Sequence, residues 1–445
     1  MSDQRSNERV WAVMVGLVLA DSSIVTLALP DVLREFDTTV FGVSWVLTAF
    51  NIVLALAIVP ASRLARRQAP RVWTAGLALF TGASLVCAVA PSIGVLIAAR
   101  CFQAVGGAAV VAAAIEMLAA ARGSHRAAAP VWGAAAVVGL AIGPAAGGIL
   151  TELLSWQSIF LVQLPVLLAL RAQGDPTLLI EPGPEGRFDL KPEVALGLLS
   201  AGLTGALFLL VIMLIEGWRH SPLEAAAIVS VVPAATLAAR WVLGRAERGT
   251  DVAVLAGGAI AIAGGLAALG LLPGAAAAWT FAPQLLVGAG LALALPGLTE
   301  RALSAHDPTG SRAAGTIAAR HAGIVVGILL LTPVFSDQLT EQHHAAQRSG
   351  TALLLDAPLP PKTKIEVARA IGDQIKKADG QLPDLAPAFE AVEPPAGAEP
   401  ALHQLEADLE DEVDKAATHA FSESFLLAGA LALLSLIPIG LGWRR

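Results

Sequence analysis

Charged residues and cysteines are scarce in this chain of 445 residues. Asp, Glu, Lys and Arg together make up 15% of it, 56% is hydrophobic, and the mean hydropathy is +0.68. Soluble domains carry about 25% charged residues, so this composition excludes an ordinary soluble domain. The two cysteines, Cys87 and Cys101, both lie in apolar runs. So few cysteines exclude a disulfide framework and a cysteine-rich metal cluster.

The chain also lacks the sequence motifs of several catalytic classes. It has no glycine-rich loop ending in Lys-Ser or Lys-Thr, so nothing in it favours ATP-driven pumping. It has no nucleophile–base arrangement, and the adjacent His343 and His344 are too few for a metal site. Its basic residues lie at the ends of apolar runs, which gives nucleic-acid binding no support. We therefore expect neither an enzyme nor a bound cofactor or metal.

What the chain has in abundance is apolar runs of roughly 20 residues, each long enough to cross a bilayer core. They predict an all-α polytopic membrane protein. The first run has no small-residue cleavage site, so we interpret it as a retained helix rather than a signal peptide. Twelve spans are predicted, near 10–30, 41–61, 72–90, 92–118, 130–152, 156–171, 192–217, 222–243, 252–272, 276–299, 313–335 and 421–443.

Tryptophan and the basic residues indicate how these spans are oriented. All nine tryptophans lie at or near span ends, which is typical of membrane interfaces. With the N-terminus inside, the cytoplasmic loops contain 18 Lys and Arg residues, whereas the opposite short loops contain only Arg34 and Arg219. The positive-inside rule therefore predicts a protein of the cell membrane with both termini in the cytoplasm.

A polar stretch at 172–191 divides the chain into two predicted bundles of six helices, 1–171 and 192–445. A glutamine followed four residues later by a glycine occurs in both halves, at Gln103 and Gln284. Duplicated six-helix halves are typical of secondary transporters that rock around a binding site at the repeat interface.

A second polar stretch, 336–419, separates the last two spans and is predicted to be external. It contains 16 acidic and seven basic residues. Isoleucine and leucine recur in it at helical spacing, which favours a small helical hairpin. Its proline-rich segments equally favour a solvated, partly disordered loop, and the two alternatives stay open.

Several motifs in residues 10–170 resemble the major facilitator superfamily, and within it the drug:proton antiporter branch, usually built with fourteen helices. They are LADSSIVTLALP in span one, SWVLTAF in span two, AARCFQAVGGA in span four, GLAIGPAAGGIL in span five and SWQSIFLVQLP after it. The resemblance implies the major facilitator fold of two six-helix bundles. It also implies a monomeric transporter in the lipid bilayer that expels hydrophobic or amphipathic small molecules in exchange for protons.

The span-five motif places three glycines, Gly139, Gly143 and Gly147, on one helix face, where they permit close backbone packing. Pro144 permits a kink, and Gly148 completes the element. The resemblance implies that this element seals a leak between helices, as an exchanger requires. The alternative is packing of small residues without a special function.

The chain departs from the branch in three respects. Twelve spans lack the two extra central helices, and Ala104 replaces a usual glycine. The loop after span two normally carries a glycine and an aspartate. Here Ser62 and Arg66 stand there, so a different chemistry of the cytoplasmic gate is expected. The candidate gate residues are Arg63, Arg66, Arg67 and Arg71.

Polar side chains inside the spans are the functional candidates, because a charge at the bilayer centre costs about 2.5–3.5 kcal/mol on insertion scales. Asp21 and Arg100 lie at similar depth, so they either pair or compete, and a static ion pair is the alternative. Glu116 either exchanges protons or extends to the interface. The proton-coupling candidates are Asp21, Arg100, Glu116 and His321; the substrate-cavity candidates are Gln103, Gln284 and Arg320.

Two other functions compete with antiport. A facilitator or lipid transporter would move its substrate without proton exchange. A membrane receptor or scaffold would bind a partner through 336–419, but it has no need of charges such as Asp21 and Arg100 inside the membrane.

Overall fold

The computed structural model describes residues 2–172, 190–243, 251–303, 310–378, 385–392 and 397–441, and the following account concerns these. All their regular secondary structure is helical, which confirms the predicted all-α class. Nine helices in the described ranges are long and apolar enough to cross a membrane. Most of the predicted linker 172–191 lies outside the described residues.

Three long helices in the first half of the chain begin at a polar cap. Thr39, Ser92 and Ser124 each accept a hydrogen bond from a backbone N–H three residues on, which satisfies one of the free donors at a helix start. The helices are α1 (Ser2–Thr26), α2 (Leu29–Glu35), α3 (Val40–Ala88), α4 (Ile93–Arg122), α5 (His125–Leu153) and α6 (Ser158–Leu161), followed by a 3-10 segment, Leu164–Arg171.

Two predicted spans are joined in α3, which runs for 49 residues. Its backbone leaves helical geometry at Gln68, with φ −149° and ψ 47°, just before Pro70. Pro70 has no N–H to donate and its ring clashes with the carbonyl four residues earlier, so a break near this point follows from the sequence. Segments 40–67 and 69–88 therefore correspond to spans two and three.

The second half has the same all-helical character. Its first long helix ends in a π-helical turn, Met213–Gly217, and Ser221 and Glu224 form a capping box for the next. The helices are α7 (Lys191–Ile212), α8 (Pro222–Val229), α9 (Val231–Leu243), α10 (Val252–Leu269), α11 (Ala277–Leu303), α12 (Gly310–Asp356), α13 (Pro361–Ala378), α14 (Ala386–Glu390), α15 (Glu399–His419), α16 (Ser422–Leu434) and α17 (Leu436–Leu441).

Span eleven was predicted to end near 335, but α12 continues to Asp356. No proline occurs between Pro333 and Pro358, so nothing in this polar stretch stops the helix. We call residues 336–419 the acidic module. Within its described part, the end of α12 packs with α13, α14 and α15 around a hydrophobic core: Leu359, Val367, Leu385, Phe389, Val392, Leu402, Leu405 and Leu409.

Glycines bring α1 and α5 into backbone contact. A Cβ placed on Gly139 would lie 2.0 Å from the carbonyl oxygen of Gly16, and one on Gly147 would lie 2.4 Å from that of Ile24. The second half repeats this contact between α7 and α12, where a Cβ on Gly323 would lie 2.0 Å from the Gly197 carbonyl oxygen. Both contacts require a residue without a side chain.

The two halves meet at the end of the bundle that is predicted to be external. One core cluster there contains residues of both, such as Leu29 and Val32 with Ala226 and Val229. α5 approaches α8 so closely that a Cβ on Gly148 would lie 2.2 Å from the Ala226 Cβ. The cavity between the halves is therefore covered at this end.

Two of the tryptophans near predicted span ends are buried between helices. Trp11 and Trp73 are 3% and 0% exposed. Their Nε1 atoms donate to the carbonyl oxygens of Ala172 and Ala169, at 2.8 and 3.2 Å. Carbonyls at a helix end lack partners within the helix, so these bonds tie α1 and α3 to the end of the 3-10 segment.

Candidate functional site

Asp21 of α1 and Arg100 of α4 form an ion pair in the first half. The Arg100 Nη1 lies 2.5 Å from Asp21 Oδ2, and both side chains are 0% exposed. Of the two alternatives for these residues, pairing or competing, the geometry has them paired. Removing one partner from a buried pair costs about 3–5 kcal/mol, because the other charge is left uncompensated.

Two glutamines complete the surroundings of this pair. Gln163 Nε2 donates to the second oxygen, Asp21 Oδ1, at 2.8 Å. Gln103 accepts from Arg100 at 2.6 Å and donates to Ser84 and to Gln163, both at 2.8 Å. We call these five residues, all fully buried, the Asp21 cluster. Fully connected polar networks of this kind hold a buried charge at a fixed position.

Arg100 is held by more than its carboxylate partner. Its guanidinium carbon lies 4.0 Å from the centre of the Phe50 ring and 5.8 Å from that of Phe160. Both distances are within the range of cation–π attraction. Nη2 of Arg100 has no hydrogen-bond partner among the described residues. The Nη2 group of Arg100 is therefore free to donate a hydrogen bond.

Glu116 of α4 contacts a residue that the sequence did not single out. Its Oε2 lies 2.9 Å from Nε2 of His125, at the start of α5. Glu116 is 8% exposed, so its side chain is buried within the protein. Its other oxygen has no partner among the described residues. The pair joins α4 to α5 but makes no contact with the Asp21 cluster.

His321 of α12 connects the second half of the chain to the first. Its Nδ1 lies 2.5 Å from Oδ1 of Asn51 in α3, and both residues are buried. Asn51 Nδ2 donates to the Leu47 carbonyl oxygen at 2.8 Å, which leaves Oδ1 as the acceptor. The Nδ1 of His321 therefore carries the proton in this contact.

A cavity lies between the two halves, and its wall is mostly aliphatic. The first half contributes about two turns of α1, from Leu19 to Thr26, together with Pro144 of α5. The second half contributes most of the wall, from α7, α9, α11 and α12. The polar groups that line it are few: Ser22, Ser23, Thr26, Thr204, Thr236, Gln284, Arg320 and His321.

The sequence model of the Major Facilitator Superfamily matches residues 11–331 of this chain. The chain belongs to this superfamily. Its members are membrane transporters, which agrees with the prediction of a multi-pass transporter rather than an enzyme.

Curated relatives of this superfamily member include resistance proteins. The multidrug resistance protein Stp of Mycobacterium tuberculosis is 38% identical over 154 residues, 34% of this chain and 29% of its own length. The methylenomycin A resistance protein of Bacillus subtilis is 30% identical over 229 residues, 50% and 48% of the two chains. The putative multidrug resistance protein MdtD of Cronobacter sakazakii is 32% identical over 254 residues, 54% and 52%. The chain thus spans about a third to a half of the relatives it matches.

Solved transporter structures share the fold over nearly the whole chain. A bacterial homolog of the human lysosomal transporter Spinster, in an inward-facing conformation, has a TM-score of 0.63 at 14% identity, with 98% of both chains covered. The human organic anion transporter MFSD10 has a TM-score of 0.59 at 12% identity, with 98% and 99% covered. At these identities the likeness concerns the fold alone.

The predicted cavity residues of this superfamily member divide between two places. Gln284 and Arg320 line the cavity as predicted. Gln103 does not line it, because it lies in the Asp21 cluster. The side chains of the candidate gate residues Arg63, Arg67 and Arg71 are exposed at the end of span two and the start of span three. Arg66 is half-buried there.

Sequence reasoning missed three residues of these sites, Gln163, Ser84 and Asn51. Each is a polar residue within an apolar run, and that is the signal that would have found them. Gln163 stands in the stretch SWQSIFLVQLP, where a buried amide needs a partner. None of the three is charged, so a search for charges in the membrane passes over them.

Proposed function

We propose that this protein is a proton-coupled exporter of hydrophobic or amphipathic small molecules, working by alternating access. Residues 1–171 and 192–445 would form the two rocking bundles, joined by the linker 172–191. The cavity would hold the substrate, and the Asp21 cluster would hold the proton. The drug and antibiotic resistance of the named relatives supports the choice of efflux.

The observation that carries the proposal is the fully buried contact between Asp21 and Arg100. A carboxylate in a membrane protein interior either stays paired or takes up a proton. A displacement of α1 relative to α4 within the first bundle would take Asp21 away from its cation, and protonation would then become the less costly state. Gln163 holds Asp21 Oδ1 at 2.8 Å, which keeps the carboxyl group in position in both states.

The cavity and the cluster share α1, which supports coupling between them. Ser22 and Ser23 line the cavity, and they directly follow Asp21. A substrate in the cavity would hold this turn of α1 in the position where Asp21 is deprotonated and paired with Arg100. Proton binding and substrate binding would then exclude each other, as exchange requires.

The test uses proteoliposomes that contain the full-length protein and a pH-sensitive dye, under an imposed pH gradient. Lipophilic cations, neutral drugs, anionic amphipaths and lipids are added in turn to the wild type, to Asp21→Asn and to Asp37→Asn. Asp37 is an exposed carboxylate in the turn after α2, so its variant is the matched control.

We expect at least one compound to cause proton movement in the wild type and in Asp37→Asn but not in Asp21→Asn. Substrate movement without proton movement would favour a facilitator or lipid transporter instead. Proton coupling that survives in Asp21→Asn would refute the role of Asp21 and leave Glu116 or His321 as the remaining proton sites.

A further inference from the structure

The cavity contains a buried cation without a counter-ion, unlike the Asp21 cluster. Among the described residues that line the cavity, Arg320 has a permanent charge, and no aspartate or glutamate lines the cavity with it. No hydrogen-bond or ion-pair partner of its guanidinium occurs in the described ranges. Arg100, by contrast, is neutralised by Asp21. The cavity therefore carries a positive charge that the protein leaves uncompensated.

The hydroxyl groups of the cavity are uncharged, so they do not neutralise Arg320, and three of them have no proton left to donate to a ligand. Ser23, Thr26 and Thr236 each donate to a carbonyl oxygen of their own helix, at 2.8, 2.7 and 2.9 Å. Their protons are thus already used. Ser22 Oγ is buried and has no partner in the described part of the chain. Together with the guanidinium, it is a free donor beside this cavity.

Gln284, which also lines the cavity, offers an acceptor instead of a donor. Its Nε2 donates to Thr280 Oγ1 at 3.0 Å, and Thr280 in turn donates to the Ala277 carbonyl oxygen at 2.8 Å. Because the Thr280 proton is used, the amide orientation is fixed with Oε1 left over. Oε1 has no partner in the described ranges, and Gln284 is 0% exposed. A buried acceptor of this kind requires a donor from elsewhere.

We infer that the cavity binds anionic amphipaths: molecules with an apolar body and a negatively charged headgroup that also carries or adjoins a hydrogen-bond donor. The headgroup pairs with Arg320 and receives the Ser22 hydroxyl proton. The apolar body lies against the aliphatic wall of α7, α9 and α11. The donor satisfies Gln284. This inference rests on the proposed transport function, since it names the substrate class of the same cavity.

The expected preference is large because the pairing occurs away from water. A hydrogen bond to a charged group in a protein interior changes a binding constant by about ten- to a hundred-fold. A lipophilic cation would meet like charge, and a neutral amphipath would leave Arg320 unpaired. The predicted order of affinity is anion, then neutral molecule, then cation.

The experiment measures equilibrium binding to the full-length protein in nanodiscs by titration calorimetry, with empty nanodiscs subtracted. The probes are decanoate, decanol and decyltrimethylammonium at neutral pH, which share a ten-carbon chain and differ in headgroup charge. The variants are Arg320→Gln, Arg320→Lys and, as the matched control, Arg9→Gln. Arg9 is exposed near the start of α1 and does not line the cavity.

In the wild type and in Arg9→Gln, decanoate should bind at least tenfold more tightly than decanol. Arg320→Gln should lose this preference while it keeps its affinity for decanol, which reports an intact cavity. Arg320→Lys should keep most of the preference because it keeps the charge.

Equal or tighter binding of decyltrimethylammonium by the wild type would overturn the inference, whether or not any variant folds. Absence of binding of all three probes would overturn it as well. Binding requires no proton movement, so the two proposals fail separately. A preference for decanoate without proton coupling refutes the exchanger alone, and proton coupling with a preference for cations refutes the anionic ligand alone.

Discussion

Replacing Gly139 by alanine tests the contact on which the first half of the fold depends. The added Cβ would lie 2.0 Å from the Gly16 carbonyl oxygen, whereas ordinary contact begins at 3.4 Å. The Cβ is thus about 1.4 Å too close, and both partners are backbone atoms of helices, which have no rotamer to change. Helix α1 must move away from α5.

Overpacking usually costs about 1–3 kcal/mol when side chains can still rearrange. Here they cannot, so we expect Gly139→Ala to lower the free energy of unfolding by about 3 kcal/mol or more. Because Asp21 also lies on α1, a shift of about 1 Å would lengthen its contact with Arg100 beyond hydrogen-bond range. Proton-coupled transport should therefore fall together with stability.

The assay is unfolding of the purified protein in mixed micelles by titration with a denaturing detergent, followed by circular dichroism. Gly82→Ala is the matched control, because a Cβ on Gly82 would meet no atom within 4 Å. Within a helix this change should be neutral or stabilise by up to about 1 kcal/mol. If Gly139→Ala unfolds at the same detergent concentration as Gly82→Ala, the close contact of α1 with α5 is refuted.

Three further changes test other contacts. Gly148→Ala should push α5 away from α8, since its Cβ would lie 2.2 Å from that of Ala226. To detect this opening, Ile149 is replaced by cysteine, and the cysteine should be labelled more when Gly148→Ala is also present. Asn51→Leu removes the acceptor of the His321 Nδ1 proton and should lower the free energy of unfolding by about 1–3 kcal/mol in the same detergent titration. Val367→Asp buries a charge at a fully buried position of the acidic module and should raise proteolysis within 336–419, with no change if the module is not folded as described.

The sequence predicted the fold well because its main signals are local. Apolar runs locate helices, and Pro70 locates the break between spans two and three. The continuation of α12 to Asp356 was not predicted, because a polar composition indicates the end of a membrane span and not the end of a helix. Only a proline, or the absence of partners, would have ended it. In the acidic module α12 finds such partners in the leucines of α15, which are distant in sequence.

Depth alone predicted that Asp21 and Arg100 either pair or compete, since each lies a similar number of residues from a predicted span end, and the geometry has them paired. The neutral partners of the pair were not predicted, because Gln163 comes from a different segment and carries no charge. Such contacts arise from tertiary packing, and a single sequence contains no direct record of them. The same holds for Asn51 and His321, which are 270 residues apart.

The sequence motif shared by the two halves does not mark equivalent positions in the fold. The sequence pattern pairs Gln103 with Gln284. The packing pairs other positions, because Gly106 meets Gly76 as Gly290 meets Gly258. This alignment sets residue 284 opposite residue 100.

By the same alignment of backbone contacts, α7 matches α1 with Gly197 opposite Gly16, and residue 202 falls opposite residue 21. The second half therefore has Gly202 and Gln284 where the first half has Asp21 and Arg100. A duplicated scaffold has kept its helix contacts, while among the described residues the counterpart of the Asp21–Arg100 position in the second half has no ion pair. Of the described residues in the second half that line the cavity, Arg320 has a permanent charge. This division of charge is the physical basis for assigning the proton to one half and the anionic ligand mainly to the other.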